Sequence, residues 1–164
     1  MSIRGEFLFH MPDGSIQVVP NLITKEGAAE YLKMIFQADT TLIAGGGNFF
    51  MGLADQVPVK TDTLVAISTE PTSAGGYARQ PLTRDTLGWP TVGEVNGVQT
   101  ITSAVVNFTP SGVDYSRTIS RAFLCSVVSG TAGKLFSMSG ALNAPTLLTV
   151  AGGNFPVQYR AYLD

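Results

Sequence analysis

The sequence predicts a mainly β domain, a β-sandwich or jelly-roll-like fold with one short α-helix and an N-terminal β-hairpin. Three observations predict it. Apolar and polar residues alternate near both ends, only one stretch has helical periodicity, and short β-rich runs separated by Gly, Pro, Ser, Thr and Asn fill the rest. At 164 residues the chain has the length of one domain, read as residues 1–164 with a single core.

Ile3, Phe7 and Phe9 alternate with Arg4 and Glu6, the pattern of a half-buried strand. Met11-Pro12-Asp13-Gly14 supplies turn chemistry, so Ser15 to Val19 reads as the returning strand, ended by Pro20. Residues 1–20 are therefore a hairpin or arm. Thr24 is positioned to cap a helix from Lys25 to about Gln37, with Glu26 in its first turn and Gly27 weakening it slightly. Ala29, Leu32, Ile35 and Phe36 form its apolar stripe, expected to lie on a sheet. Glu26, Glu30, Lys33 and Gln37 form the expected wet face.

Further strands are expected near Asn48 to Leu53, Gly76 to Thr83, Val92 to Val95, Val98 to Phe108, Thr118 to Val127, Lys134 to Ser139, Thr146 to Val150 and Phe155 to Leu163. Asn96-Gly97 between two Val-containing runs is the strongest hairpin signal, because a type I′ turn needs positive φ twice. The last strand sets Phe155, Val157, Tyr159, Ala161 and Leu163 on one face. Ala54 to Gly75 is a long loop poor in regular signals, expected to be functional or an arm held by a partner.

Composition narrows the function. Charged residues make up 13% of the chain, against about 25% in ordinary soluble proteins, and mean hydropathy is +0.22. Too few charges are present to coat a solitary monomer, and surface buried between subunits accounts for the deficit. A net charge of -2 and ten scattered Lys and Arg argue against nucleic acid. No apolar run approaches the ~20 residues of a membrane-spanning helix. Arg4 and Glu6 interrupt what would be a secretory signal core, so cytoplasmic synthesis is expected.

The residues of catalysis are scarce. His10 is the only histidine and sits beside a turn, and Cys125, the only cysteine, lies in an apolar strand where a small buried hydrophobe is expected. One His and one Cys cannot supply a four-ligand zinc site. Asp39, Asp55, Asp62, Asp85 and Asp114 fall in loops without the alternating pattern that wraps calcium. Gly45-Gly46-Gly47-Asn48 lacks the Gly-Lys-Ser/Thr ending of a phosphate loop and reads as a connector. Glu70 and Glu94 are paired as possible glycosidase carboxylates only by elimination. No catalytic residue, metal or cofactor is expected.

From Phe49 onward the order of features resembles a family of tailed-bacteriophage virion structural proteins. The resemblance is carried by Met51-Gly-Leu, Glu70-Pro-Thr-Ser, Gly75-Gly-Tyr-Ala-Arg-Gln-Pro-Leu, Trp89 and Val106-Asn-Phe-Thr-Pro-Ser-Gly. It continues through Arg121-Ala-Phe-Leu, Gly133-Lys-Leu-Phe-Ser-Met-Ser-Gly-Ala-Leu, Pro145 and Thr149-Val-Ala-Gly-Gly. Asn21-Leu-Ile-Thr before a short helix is similar to the family's beginning. Gly152-Gly153-Asn154 departs from it, where the family commonly carries Gly-Asp.

The resemblance implies a virion location and a capsid decoration (cement) protein on the outer head surface, or else a tail, collar or fibre component that binds a receptor or carbohydrate. The expected partners are copies of itself, as a homotrimer, and the major capsid protein. Phe7, Phe9, Tyr77, Arg79 and Trp89 are the candidate interface residues, although Gly75 to Arg79 also reads as a plain turn into a core strand and Trp89, between Gly88 and Pro90, equally as packed on its own sandwich. Dispersed Trp89, Tyr77, Tyr115 and Tyr162 are the aromatics a sugar platform would draw on.

Overall fold

The computed structural model describes residues 3–37 and 47–163; Asp39, Gly45 and Gly46 lie outside them. The fold is mainly β. The strands are β1 (Ile3–His10), β2 (Ile16–Ile23), β3 (Phe49–Ala54), β4 (Gln80–Leu82), β5 (Thr91–Val95), β6 (Val98–Thr102) and β7 (Val106–Phe108). They continue with β8 (Thr118–Ile119), β9 (Arg121–Cys125), β10 (Leu135–Ser139), β11 (Thr146–Leu147) and β12 (Phe155–Leu163). Helix α1 (Lys25–Phe36) follows β2. One curled antiparallel sheet runs β4-β3-β9-β10-β2-β1-β12-β6-β5, with β7 also on β12, while β8 and β11 form a separate ribbon.

The curl makes the sandwich. Phe7, Phe9 and Val19 from one half of the sheet meet Met51, Leu53, Leu124 and Phe136 from the other in a common core. A second cluster, with Phe50, Phe123, Cys125 and Met138, lies under Leu64 and Ile67 of the 55–75 loop. That loop explains why β3 and β10 are buried at every position and show no alternation.

The N-terminal hairpin is built into the middle of the sheet rather than held out as an arm. β1 pairs with β12 on one side and with β2 on the other. Pro20 does not end β2: residues 16–20 pair with β1, and Asn21–Ile23 then pair with β10. The long strand expected over Val98 to Phe108 is broken at Ser103, whose hydroxyl accepts the Tyr159 N–H at 2.9 Å in place of a ladder carbonyl. The strand expected over Thr118 to Val127 is interrupted at Ser120, whose hydroxyl donates to Asp55. β4 is three residues long because the Tyr77 hydroxyl, rather than a backbone carbonyl, accepts the Leu53 N–H at 2.9 Å.

Helix α1 starts as its sequence requires, with the Thr24 hydroxyl accepting the Gly27 N–H at 2.9 Å. Ala29, Leu32 and Phe36 of the expected stripe face outward, and the Ile35 side chain lies outside the described ones. Gly27 and Glu30 are buried and Tyr31 and Met34 pack on the core, whereas Leu32 and Phe36 are 54% and 70% exposed. Gly27 decides this orientation, because a Cβ there would lie 2.1 Å from the Phe136 carbonyl oxygen of β10. Glu26 completes the docking by taking the Lys134 ammonium at 3.0 Å and the Leu135 N–H at 2.9 Å.

Gly27→Ala tests this close approach. Helix propensity alone favours Ala by about 1 kcal/mol, yet the variant is expected to lose about 2 kcal/mol in urea unfolding, because the obstructing atoms are backbone. A stabilised variant would show that the helix does not need this contact.

Candidate functional site

The interlayer core is open at one end. β12, β6 and β5 carry Tyr159, Ala161, Ile101 and Val92 on the face turned toward the core, since Ala161 pairs with Ile101 and Ile101 with Val92. Across from them stand Tyr31 and Met34 of α1 and Phe49 of β3, and the 84–89 turn closes one end. The result is an apolar cleft of about 680 Å³, open to solvent, with Arg84, Asp85 and Thr86 as its polar rim.

Trp89, the only tryptophan, is half-buried at the centre of this arrangement. Its ring meets Phe49 edge-on at 5.8 Å and Tyr159 at 6.2 Å. Asp85 shapes the turn that holds it: one carboxylate oxygen accepts the Thr83 hydroxyl at 2.6 Å and the N–H groups of Leu87 and Gly88 at 2.9 Å. The Thr83 hydroxyl, then the Gly88 N–H, hold the Asp85 carboxyl below its ordinary range. The Trp89 N–H donates to the Asp85 carbonyl at 2.9 Å. Arg84 lies 6.0 Å from the Phe49 ring centre. Burial, then the electrostatic and hydrogen-bonding influence of the neighbouring Tyr159, raise the Tyr31 phenol well above its ordinary range.

The other residues singled out from sequence lie elsewhere. Phe7 and Phe9 are fully buried core residues, because β1 is an interior strand. Tyr77 and Arg79 are also buried, 8% and 4% exposed. Neither pair presents an outer surface. Arg79 donates from Nε and Nη2 to the two carboxylate oxygens of Glu70, each at 2.8 Å, and from Nη1 to the Val127 carbonyl at 3.1 Å. The Tyr77 hydroxyl donates to Glu70 at 2.7 Å. Burial is the largest single influence on Arg79 and opposes its charge, but the hydrogen bonds to Glu70 and the electrostatic influence of Cys125, Glu70 and Tyr77 together exceed it and raise its pKa.

Glu70 thereby ties the long loop to the sheet, so that loop is packed on its own domain rather than extended as an arm. The two carboxylates paired by elimination, Glu70 and Glu94, are not brought together as a catalytic pair: Glu70 is bonded to Arg79, while Glu94 is exposed on β5. His10 Nε2 lies 2.9 Å from the Gln158 side-chain oxygen. Burial pushes the Cys125 thiol up to about 11, so it is protonated at neutral pH. Asp62 accepts the Val59 N–H at 2.8 Å within a local turn, whereas Asp114 accepts the Val150 N–H at 2.8 Å and ties together two segments distant in sequence. Among the described residues no three His, Cys, Asp or Glu side chains form a metal-binding group.

The sequence singles out Trp89, whose ring packs on Phe49 and Tyr159 of its own domain, but it does not reveal Tyr31, Met34, Phe49, Val92 and Ile101 as its neighbours in the cleft. The signal was the i, i+3 spacing of Tyr31 and Met34, on a helix face that Glu30 made look wet. No family model, no curated protein and no solved structure matches the chain.

Two outcomes check these assignments. Asp85→Ala should free the turn, shift the single-tryptophan emission to longer wavelength and raise acrylamide quenching; unchanged emission would show that other contacts hold Trp89. Glu70→Gln leaves the buried Arg79 charge uncompensated and should cost about 2 kcal/mol. In a double-mutant cycle with Arg79→Gln the two costs should not add, whereas additive costs would mean the pair is not coupled.

Proposed function

We propose that this chain is a non-enzymatic structural protein of a tailed-bacteriophage virion, a capsid decoration (cement) protein that binds the outer head surface as a homotrimer. The observation that carries this reading is the placement of apolar side chains on the outside of a chain poor in charge. Leu32 and Phe36 lie on the free face of α1, Leu87 on the 84–89 turn and Val92 at the cleft, all half or more exposed. Such surface favours burial between subunits. The commitment of His10, Cys125 and Glu70 to hydrogen bonds within the fold supports a role without catalysis.

Decoration of this kind works mechanically. Each copy bridges neighbouring capsid subunits, and many weak contacts on a symmetric shell sum to strong attachment that resists the pressure of packaged DNA. A tail, collar or fibre role with receptor or carbohydrate binding is the alternative, favoured by the half-buried Trp89 in an open cleft. Tyr77, Tyr115 and Tyr162 are buried, so they add nothing to a sugar platform.

The test is co-sedimentation with undecorated capsids of the phage that encodes the chain, with the free protein's mass measured by light scattering. Saturable binding by a trimer is expected. Phe36→Glu should lower occupancy or oligomer mass while moving stability by no more than about 0.5 kcal/mol, as at other exposed positions. A well-folded oligomer that ignores the capsid would overturn the head reading, and binding on a glycan array would then place the alternative first.

A further inference from the structure

The free edge of β5 and the cleft beside it are two halves of one surface. The Asn96-Gly97 turn has φ of 53° and 79° and joins Val95 directly to Val98, a two-residue type I′ hairpin. In that geometry Val95, Gly93 and Thr91 exchange backbone hydrogen bonds with β6, so the N–H and C=O groups of Val92 and Glu94 point away from it. β5 is the last strand of the sheet. Among the described residues nothing pairs with that edge, and Glu94 is exposed without an ion pair. Val92 is 72% exposed although it also lines the cleft.

An antiparallel strand laid along this edge would place one residue opposite Glu94 and, two positions later in its own sequence, one opposite Val92. Both side chains would share the face of Val92. We propose that β5 and the cleft dock an extended segment of a protein partner in which Lys or Arg faces Glu94 and a large apolar side chain two residues later enters the cleft mouth beside Val92. Four backbone hydrogen bonds would supply attachment, and the charge and the cleft would supply selectivity. A second copy of the chain fits less well. Pairing β5 with its own copy about Gly93 sets each Glu94 against a Val92 and leaves both clefts without a large side chain.

This inference rests on the reading of the chain as a binding protein, but it can fail separately. The probe is the peptide acetyl-Thr-Lys-Thr-Phe-Thr-amide, titrated at millimolar concentration into the ¹⁵N-labelled full chain. The Val92 and Glu94 amide signals and the Trp89 indole signal should move, more than those of Gly93 and Val95. N-methylation at the peptide's Lys and Phe nitrogens should abolish the shifts, and N-methylation at the central Thr should not. Glu94→Lys should weaken binding by about fivefold and favour the peptide with Glu in place of Lys.

Absent shifts, equal binding of all the N-methylated peptides, or indifference to Glu94→Lys would each overturn the inference. So would concentration-dependent dimerisation that moves the same β5 signals without peptide, which would assign the edge to a second copy. Capsid binding that persists without peptide binding would overturn the inference alone and leave the proposed function standing.

Discussion

The sandwich depends on one strand serving two neighbours in turn. β2 runs along β1 up to Pro20 and along β10 from Asn21, and this handover is where the sheet folds over on itself. Proline suits the position because it has no N–H to leave unpaired at the change of partner. The ladder is repaired by side chain. Gly5 would next pair with Asn21, and its N–H instead donates to the Asn21 amide oxygen at 2.9 Å while the Asn21 amide donates to the Tyr159 hydroxyl at 2.8 Å. The Pro20 carbonyl is taken by the Gly140 N–H at 2.9 Å. The Gly5 N–H, the Asn21 side-chain amide and the Pro20 carbonyl are thus all bonded at the corner, as a buried crossing requires.

From that corner the rest follows by packing. Once β10 lies beside β2, α1 leaves β2 across the face of β10 that carries Phe136, and the near contact of Gly27 with Phe136 fixes which helix face is inward. Tyr31 then reaches Phe136 at 5.4 Å between ring centres, and Phe136 reaches Phe49 at 5.0 Å. This aromatic chain passes on to Trp89 and forms one wall of the cleft. The cleft is thus a consequence of where the helix ends its cover, since β5 and β6 extend beyond it.

Features governed by short-range chemistry were legible in the sequence. The Asn96-Gly97 turn, the Thr24 cap, the alternation of β12 and the run of β10 each depend on residues adjacent to them. What escaped depends on distant partners. The apolar stripe of α1 gave the wrong face because the deciding contact is a backbone atom of β10, more than a hundred residues away. Arg79 looked like a surface residue because its bonding partner, Glu70, sits in a loop with no regular signal. Pro20 looked like a terminator because a proline at a change of partner reads the same, locally, as a proline at an end. Trp89 stood out in the sequence as the one tryptophan; the walls around it did not, since they come from five separate elements.

The two ends of the sheet are treated differently, and this bears on function. Edge strands invite pairing, and proteins blunt them by shortness, proline, charge or bulges. β4 follows that rule, with three residues and Pro81 among them. β5 is five residues long with an unbroken register, no proline, an exposed valine and one charge. Its neighbour β6 is held to β12 by four successive pairs. A solitary protein gains nothing from leaving such an edge exposed, and the same chain blunts the opposite one. Together with its low charge, this asymmetry favours a molecule whose β5 end meets another chain over one whose whole surface faces water.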